Sequence, residues 1–187
     1  MTDASHKERV ISQYESCWAA RGTEVPPPEG RRHELPADFT VLEFAPRDDR
    51  RMWTYATCCM SQPADSRPLE LHLFSPYQSA EPVEILTAVA HYHRTGSPLD
   101  LGHTVNFGKP WINESECEYG LISLPYLDGP KLENLTLPDG TVVKFYWLIP
   151  VTRQEVEYKK AHGLDALEER FEEAGFNYLD PHRSSVC

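Results

Sequence analysis

The sequence has no excess of basic residues. Its 187 residues include 18 lysines and arginines against 29 aspartates and glutamates, which gives a formal net charge of -11 at pH 7. A nucleic-acid-binding protein needs a basic stripe against the phosphates, and docking on an anionic membrane also requires basic residues. The charge therefore argues against both classes of partner. It favours association with a basic protein.

Long apolar runs are absent as well. No segment approaches the roughly 20 apolar residues of a membrane-spanning helix, and the first residues lack an apolar region of the secretory type. The five cysteines are an odd number and include no Cys-x-x-Cys pair. We therefore expect a cytoplasmic protein with free thiols and no membrane span.

The usual signatures of metal, cofactor and nucleophile sites are also missing. The chain has no His-x-x-x-His pair, no Gly-x-Ser-x-Gly turn, no phosphate-binding loop and no dinucleotide fingerprint. His91 and His93 would face different directions on a helix, and Cys58 and Cys59 would face opposite sides of a strand. We therefore expect neither a metal ion nor a cofactor.

Hydrophobic periodicity nevertheless predicts a well-organised domain. Helices are predicted over 6–21 and 81–94, from a capping box at 152–155 to residue 163, and from residue 165 onward; strands are predicted over 39–45, 52–60, 69–75, 103–107 and 119–124, with a hairpin over 135–149. This order is typical of an α+β fold, a single domain with a largely antiparallel or mixed central sheet and helices packed on it. We divide the chain into an N-terminal helix (1–24), a Pro-rich connector (25–38), the main domain (39–180) and a tail (181–187).

One predicted strand alternates cleanly between apolar and polar positions. Leu69, Leu71 and Leu73 share one side, whereas Glu70 and His72 share the other. The pattern predicts a strand whose second face is either wet or covered by a helix.

The stretch 101–126 places a tryptophan and several acidic residues between two apolar strands, which is unusual. Two apolar strands flank a loop that carries Trp111 and the acidic residues Glu114, Glu116 and Glu118. Interfaces favour aromatic residues at their centre, so the loop is a candidate recognition surface, to which Asp128 adds charge. The alternative is that Trp111 folds over the core and the acids form solvated surface.

The same stretch carries a resemblance to a known family. The segments Gly102-His-Thr-Val-Asn-Phe-Gly-x-Pro-Trp111, Ser115-Glu-Cys and Gly120-Leu-Ile-Ser-Leu-Pro-Tyr126 resemble the suppressor of fused-like family in its bacterial single-domain form. The resemblance begins near residue 39 and continues through 145–150 and into 168–181. It implies that 39–180 is a suppressor of fused-like domain.

The resemblance also implies a function. Eukaryotic relatives hold a transcription-factor segment between this domain and a second one, whereas bacterial relatives resemble immunity proteins, which neutralise a toxin domain by binding it. Tyr92 and His103 match family positions near the peptide-binding edge. We therefore hypothesise a non-enzymatic binding protein of immunity type whose partner is another protein, such as a basic toxin domain. The expected contacts are Tyr92, His103, Trp111, Glu116 and Asp128.

Two other hypotheses remain open from the sequence. The first is a hydrolase or transferase built on His103, Asn106, Glu116 and Cys117, which would have to converge in a pocket and in which Cys117 and His103 would form a nucleophile–base pair. The second is a peptide receptor that adds a strand to an exposed sheet edge.

Overall fold

The computed structural model describes residues 4–187, apart from the side chains of residues 31–33. The start of the predicted N-terminal region 1–24, and those side chains of the predicted connector 25–38, therefore lie outside the described residues. The helices within the described range are α1 (His6–Trp18), α2 (Glu81–Thr95), α3 (Pro130–Glu133), α4 (Arg153–His162) and α5 (Leu164–Ala174), with a 3-10 helix at Glu29–Glu34. The strands are β1 (Thr23–Val25), β2 (Thr40–Phe44), β3 (Trp53–Cys58), β4 (Leu69–Ser75), β5 (Thr104–Asn106), β6 (Tyr119–Ser123), β7 (Asn134–Thr136) and β8 (Val142–Val151).

The strands form one mixed sheet in the order β1-β2-β3-β4-β8-β6-β5, and β7 also pairs with β8. Only the β4–β8 pairing is parallel among the described strands; the others are antiparallel. This confirms the predicted α+β class and the mixed, largely antiparallel sheet. The apolar strand β8 lies at the centre of the sheet, as expected of a strand covered on both faces.

Two capping boxes set the first residues of α1 and α4. The Ser5 hydroxyl accepts a hydrogen bond from the Glu8 backbone N–H at 3.2 Å, and the Glu8 carboxylate accepts one from the Ser5 N–H at 2.7 Å. Thr152 and Glu155 repeat the arrangement. Helix α1 ends earlier than predicted because Ala19 adopts a left-handed conformation with φ of 47°.

The two faces of the sheet are covered by different helices. On one face α2 packs against apolar side chains of the sheet, including Leu71 of β4, Leu148 of β8 and Val105 of β5. On the other face α1 packs over Phe145, while α4 and α5 pack over Trp147. The chain therefore has a three-layer arrangement, with helices on both sides of the sheet.

Strand β4 is buried along its whole length. Helix α1 lies over its polar face: the ring of Trp18 contacts that of His72 at 5.7 Å between centroids, and the Tyr14 hydroxyl donates to the Leu71 carbonyl at 3.5 Å. Of the two possibilities predicted for the second face of this strand, the one in which a helix covers it is confirmed. Glu70 and His72 are therefore buried, and their protonation should make the stability of the fold depend on pH.

None of the described helices combines the length and the hydrophobicity needed to pass through a bilayer.

Candidate partner-binding edge of the sheet

Strand β5 forms one end of the sheet. It pairs antiparallel with β6, Val105 lying opposite Gly120. Beyond the strand ends, the Ile122 N–H donates to the His103 carbonyl and the Phe107 N–H donates to the Glu118 carbonyl, each at 2.9 Å. Residues alternate in the direction of their backbone groups along an antiparallel ladder. The N–H and C=O groups of Thr104 and Asn106 therefore point away from β6.

A cleft of about 210 Å³ lies between this edge and α2. Its lining is mostly apolar and comes from the two elements: Ile85, Ala88, Val89 and Tyr92 from α2, and Thr104, Val105, Asn106 and Phe107 from β5 and its end. The Tyr92 side chain is 42% exposed. An outward-facing backbone edge beside an apolar cleft is the arrangement by which a domain accepts an added strand.

A glycine in β6 shapes one wall of the cleft. The Phe107 ring lies across Gly120, and a Cβ atom at that position would come within 2.7 Å of two ring atoms and within 2.5 Å of Leu148 Cδ1. Only glycine leaves room for the ring here. The position of Phe107 therefore depends on the absence of a side chain in the neighbouring strand.

The loop between β5 and β6 is fixed to the body of the domain. Lys109 forms an ion pair with Glu84 of α2. The backbone N–H of Trp111 donates to the Cys117 carbonyl at 3.0 Å. The Trp111 side chain is only 1% exposed and belongs to the core on the α2 side. The expectation that Trp111 is a contact residue is therefore corrected: it packs under the loop, as the alternative reading of the sequence had it.

The remaining predicted contact residues divide into two groups. Tyr92 lines the cleft, His103 is exposed directly before β5, and Glu116 is exposed on the adjoining loop. The Asp128 carboxylate is 4% exposed, which corrects the expectation that it adds charge to the binding surface.

Asp128 instead joins three parts of the chain. It accepts hydrogen bonds from the Trp18 indole N–H at 2.8 Å and from Arg50 Nη1 at 2.6 Å. The Arg50 guanidinium lies over the rings of Trp18 and Phe74, 4.7 and 4.9 Å from their centroids. Arg50 could not be predicted as the partner of Asp128, because no local signal links it to an aspartate 78 residues further along the chain.

The four residues of the enzyme hypothesis lie in different environments. His103, Asn106 and Glu116 are exposed, whereas Cys117 is buried in the core. Burial is the main cause that raises the pKa of the Cys117 thiol, so this thiol is a poor nucleophile. No three His, Cys, Asp or Glu side chains within the described range come together as a metal site.

Comparison with known proteins identifies the fold and the family. The family model described as Suppressor of fused protein (SUFU) matches residues 36–184. A crystal structure of a putative SUFU homologue from Neisseria gonorrhoeae FA 1090 is 32% identical, with 97% of each chain covered and a TM-score of 0.85. No curated protein matches the chain.

Two more distant structures share the fold. The crystal structure of the Sufu-Fu complex contains a chain 16% identical to this one, with 97% of this chain and 92% of that one covered and a TM-score of 0.71. Drosophila Suppressor of Fused is also 16% identical, with 79% of this chain and 42% of that one covered and a TM-score of 0.60. From the family match and the Neisseria homologue together, we conclude that this chain belongs to the suppressor of fused family.

Proposed function

We propose that this chain is a non-enzymatic binding protein of immunity type, which holds an extended segment of a partner protein against the edge of β5. The observation that carries the proposal is the outward-facing backbone of Thr104 and Asn106 beside the apolar cleft. Main-chain hydrogen bonds would supply affinity, and the cleft would select the side chains of the added strand. Tyr92 and His103 flank the place that such a strand would occupy.

The charge of the chain supports a basic partner. The net charge is -11, and the loop beside β5 presents Glu114, Glu116 and Glu118 as exposed side chains. Charge complementarity raises the rate of association and disfavours acidic competitors. A basic toxin domain, which an immunity protein neutralises by binding, fits this surface.

Two further observations support the same proposal. One structure with this fold is a complex of Sufu with Fu, and so contains a relative bound to another protein. All five cysteines of the present chain are free thiols, which suits a reducing compartment. We therefore place the proposed interaction in the cytoplasm.

The proposal is tested by blocking the edge while leaving the β5–β6 pairing intact. Thr104→Pro removes an outward N–H, so pairing with β6 should survive whereas an incoming strand loses a donor and meets the proline ring. Tyr92→Ser alters the cleft, and Tyr77→Ser is its matched control, because Tyr77 is 46% exposed but does not line this cleft.

The partner to use is any toxin-like domain encoded by the gene beside the one for this chain. We expect the wild type and Tyr77→Ser to bind it and to protect growing cells from it, and Thr104→Pro and Tyr92→Ser to lose both properties while remaining folded. Equal binding by Thr104→Pro and the wild type would refute strand addition at β5. A neighbouring gene that encodes no toxin-like protein, or a toxin that the wild type does not bind, would refute the immunity role.

A further inference from the structure

A second cavity lies on the opposite face of the sheet from the β5 cleft. Its volume is about 340 Å³. Its walls come from β8, from α5 and the segment after it, and from the loop that follows β6; the apolar side chains are Leu127, Trp147, Ile149, Phe171, Phe176 and Tyr178. Trp147 and Tyr178 meet edge to face at 5.2 Å, and Phe171 stacks on Phe176 at 4.2 Å. The cavity therefore has rigid aromatic walls.

One carboxylate in this cavity is held in a fixed orientation. Glu168 of α5 accepts a hydrogen bond on Oε1 from the Ser123 hydroxyl and one on Oε2 from the Tyr126 hydroxyl, both at 3.1 Å. Each oxygen retains a further lone pair, because an ionised carboxylate offers about four acceptor sites. Glu168 is therefore oriented in advance to accept two more hydrogen bonds side by side.

No described side chain neutralises the negative charge of this cavity. Glu172, one turn further along α5, also lines the cavity. Neither carboxylate forms an ion pair with any lysine or arginine whose side chain the structure describes. Arg50 lies near Tyr178, but it is paired with Asp128 at 2.6 Å. Arg183 lies over the rings of Phe171 and Phe176, 5.9 and 5.4 Å from their centroids, but it is paired with Glu155 at 2.6 Å. Burial and the charges of Glu168, Asp165 and Glu172 raise the pKa of Tyr126 to about 12, which agrees with a local excess of negative charge.

The entrance of the cavity is apolar and open to a partner. Tyr126 is 57% exposed and Leu127 is 48% exposed, among the few large apolar side chains that this surface leaves in water. Exposed apolar groups around a charged pocket are typical of an interaction site. The volume of the cavity suits one long side chain better than a folded element.

From this geometry we propose that the cavity receives an arginine side chain of a partner protein. A guanidinium donates two parallel hydrogen bonds to a carboxylate and stacks on aromatic rings, whereas a lysine ammonium offers neither planarity nor the paired donors. Cation–π contact with Trp147 and Tyr178 adds to the attraction. This inference rests on the proposed function only in that another protein supplies the arginine; it uses a different face and different residues.

The test measures binding of a small arginine probe to the full chain. The probe is the blocked tripeptide acetyl-Gly-Arg-Gly-amide, and its matched controls contain lysine or citrulline, which is neutral and has nearly the shape of arginine. The readout is the NMR signal of the Trp147 indole N–H, assigned with the variant Trp147→Phe. We expect a saturable shift with arginine and affinities lower by about tenfold or more with citrulline.

Variants then separate the pocket from general surface charge. Glu168→Gln should weaken arginine binding by about tenfold, since it removes a charge-assisted pair of hydrogen bonds. Glu169→Gln is the control, because Glu169 is exposed on the same helix and does not line the cavity. Circular dichroism and thermal unfolding of both variants verify that they are folded.

Three results would overturn the inference: equal affinity for arginine and citrulline, no shift of the Trp147 signal, or equal losses in Glu168→Gln and Glu169→Gln. Failure here is distinct from failure of the proposed function. The variant Thr104→Pro should bind the arginine probe as the wild type does, whereas it should lose the toxin domain. Conversely, an intact edge would still bind its partner if the arginine site proved wrong.

Discussion

The guanidinium of Arg183 donates to both carboxylate oxygens of Glu155, at 2.6 and 2.8 Å, and both side chains are buried. The same guanidinium donates to the Pro150 carbonyl at 3.0 Å, and Glu155 also accepts a bond from the Val186 N–H at 3.1 Å. The tail, residues 181–187, which has no hydrophobic periodicity, is thereby joined to the first turn of α4 and to the end of β8.

Removing Arg183 should therefore be costly. Arg183→Ala leaves the Glu155 carboxylate buried without its counter-ion, and we expect the free energy of unfolding to fall by about 3–5 kcal/mol. Urea denaturation measures the loss. The control is Lys160→Ala, whose pairing with Glu157 is solvent-exposed and which should change stability by less than about 1 kcal/mol. Equal effects of the two variants would show that the buried pair has no special role.

Asp128→Ala should act on stability rather than on the β5 edge. It removes the acceptor shared by Trp18 and Arg50 and leaves a poorly solvated guanidinium. Because the Arg50 side chain retains 17% exposure, we expect a loss of about 2–4 kcal/mol in the free energy of unfolding. Denaturation measures this loss, and binding of the toxin domain below the melting temperature should be unchanged. Loss of binding by a fully folded Asp128→Ala would contradict this assignment.

The buried carboxyl of Glu70 should make stability depend on pH. Burial raises the pKa of Glu70 to about 7, although Thr57, Ser61 and the Met60 N–H all donate to the carboxylate. The ordinary value is 4.5, so the folded state binds an extra proton between about 4.5 and about 7. Stability contributed by this group therefore falls as pH rises through that window. Glu70→Gln should remove that slope in denaturation curves recorded across the window, and an unchanged slope would refute the assignment.

His72 should contribute with the opposite sign. The pKa of His72 is lowered from 6.5 to about 4, mainly because the ring is buried. The neighbouring Asp128 opposes this shift, and Arg50 reinforces it. The unfolded state then binds the extra proton, so stability is lost as pH falls from about 6.5 to about 4. Neither ring nitrogen forms a hydrogen bond with a described side chain or backbone group, and Nε2 lies 3.5 Å from Asp128 Oδ2, an ion pair only when the ring is protonated. His72→Phe should therefore retain stability at neutral pH. The variant should resist acid better than the wild type; greater acid sensitivity would contradict this account.

The final prediction concerns the wall of the β5 cleft. Gly120→Ala forces the Phe107 ring or Leu148 to move, and such overpacking typically costs about 1–3 kcal/mol. We expect a lower melting temperature together with weaker binding of the toxin domain, because the displaced ring borders the cleft. Gly140→Ala is not a suitable control, since its φ is positive, whereas Gly30 has open space around it. Gly30→Ala should leave binding unchanged.

Local patterns predicted the long elements well, for reasons that are themselves local. The Ser5 and Thr152 capping boxes and the apolar spacing of α1 and α2 act within a few residues, and so they can be recognised in the sequence. The short elements β1 and α3 were missed. Strand β1 spans three residues and is defined by its pairing with β2. Helix α3 spans four residues and is defined by its packing under α1. Such elements depend on contacts between distant parts of the chain.

The candidate site was predictable only in outline. The resemblance to the family placed Tyr92 and His103 near a peptide-binding edge, and both lie beside β5. No pattern showed that Trp111 turns inward or that Asp128 is paired with Arg50, because an aromatic residue and an acid on a loop fit packing and binding equally well. The cavity around Glu168 was also missed, since it combines β6, β8 and α5, whose adjacency follows from the strand order.

The parallel pairing of β4 with β8 also has a consequence for how the protein is made. Leu69 pairs with Lys144, so the ribosome produces β4 long before its neighbour. Until residues 142–151 have left the exit tunnel, β4 has one unpaired edge and an apolar face, which is a known hazard for association between chains. Completion of the sheet must therefore await the synthesis of β8, and shielding of β4 by α1 or by a chaperone becomes important during that interval.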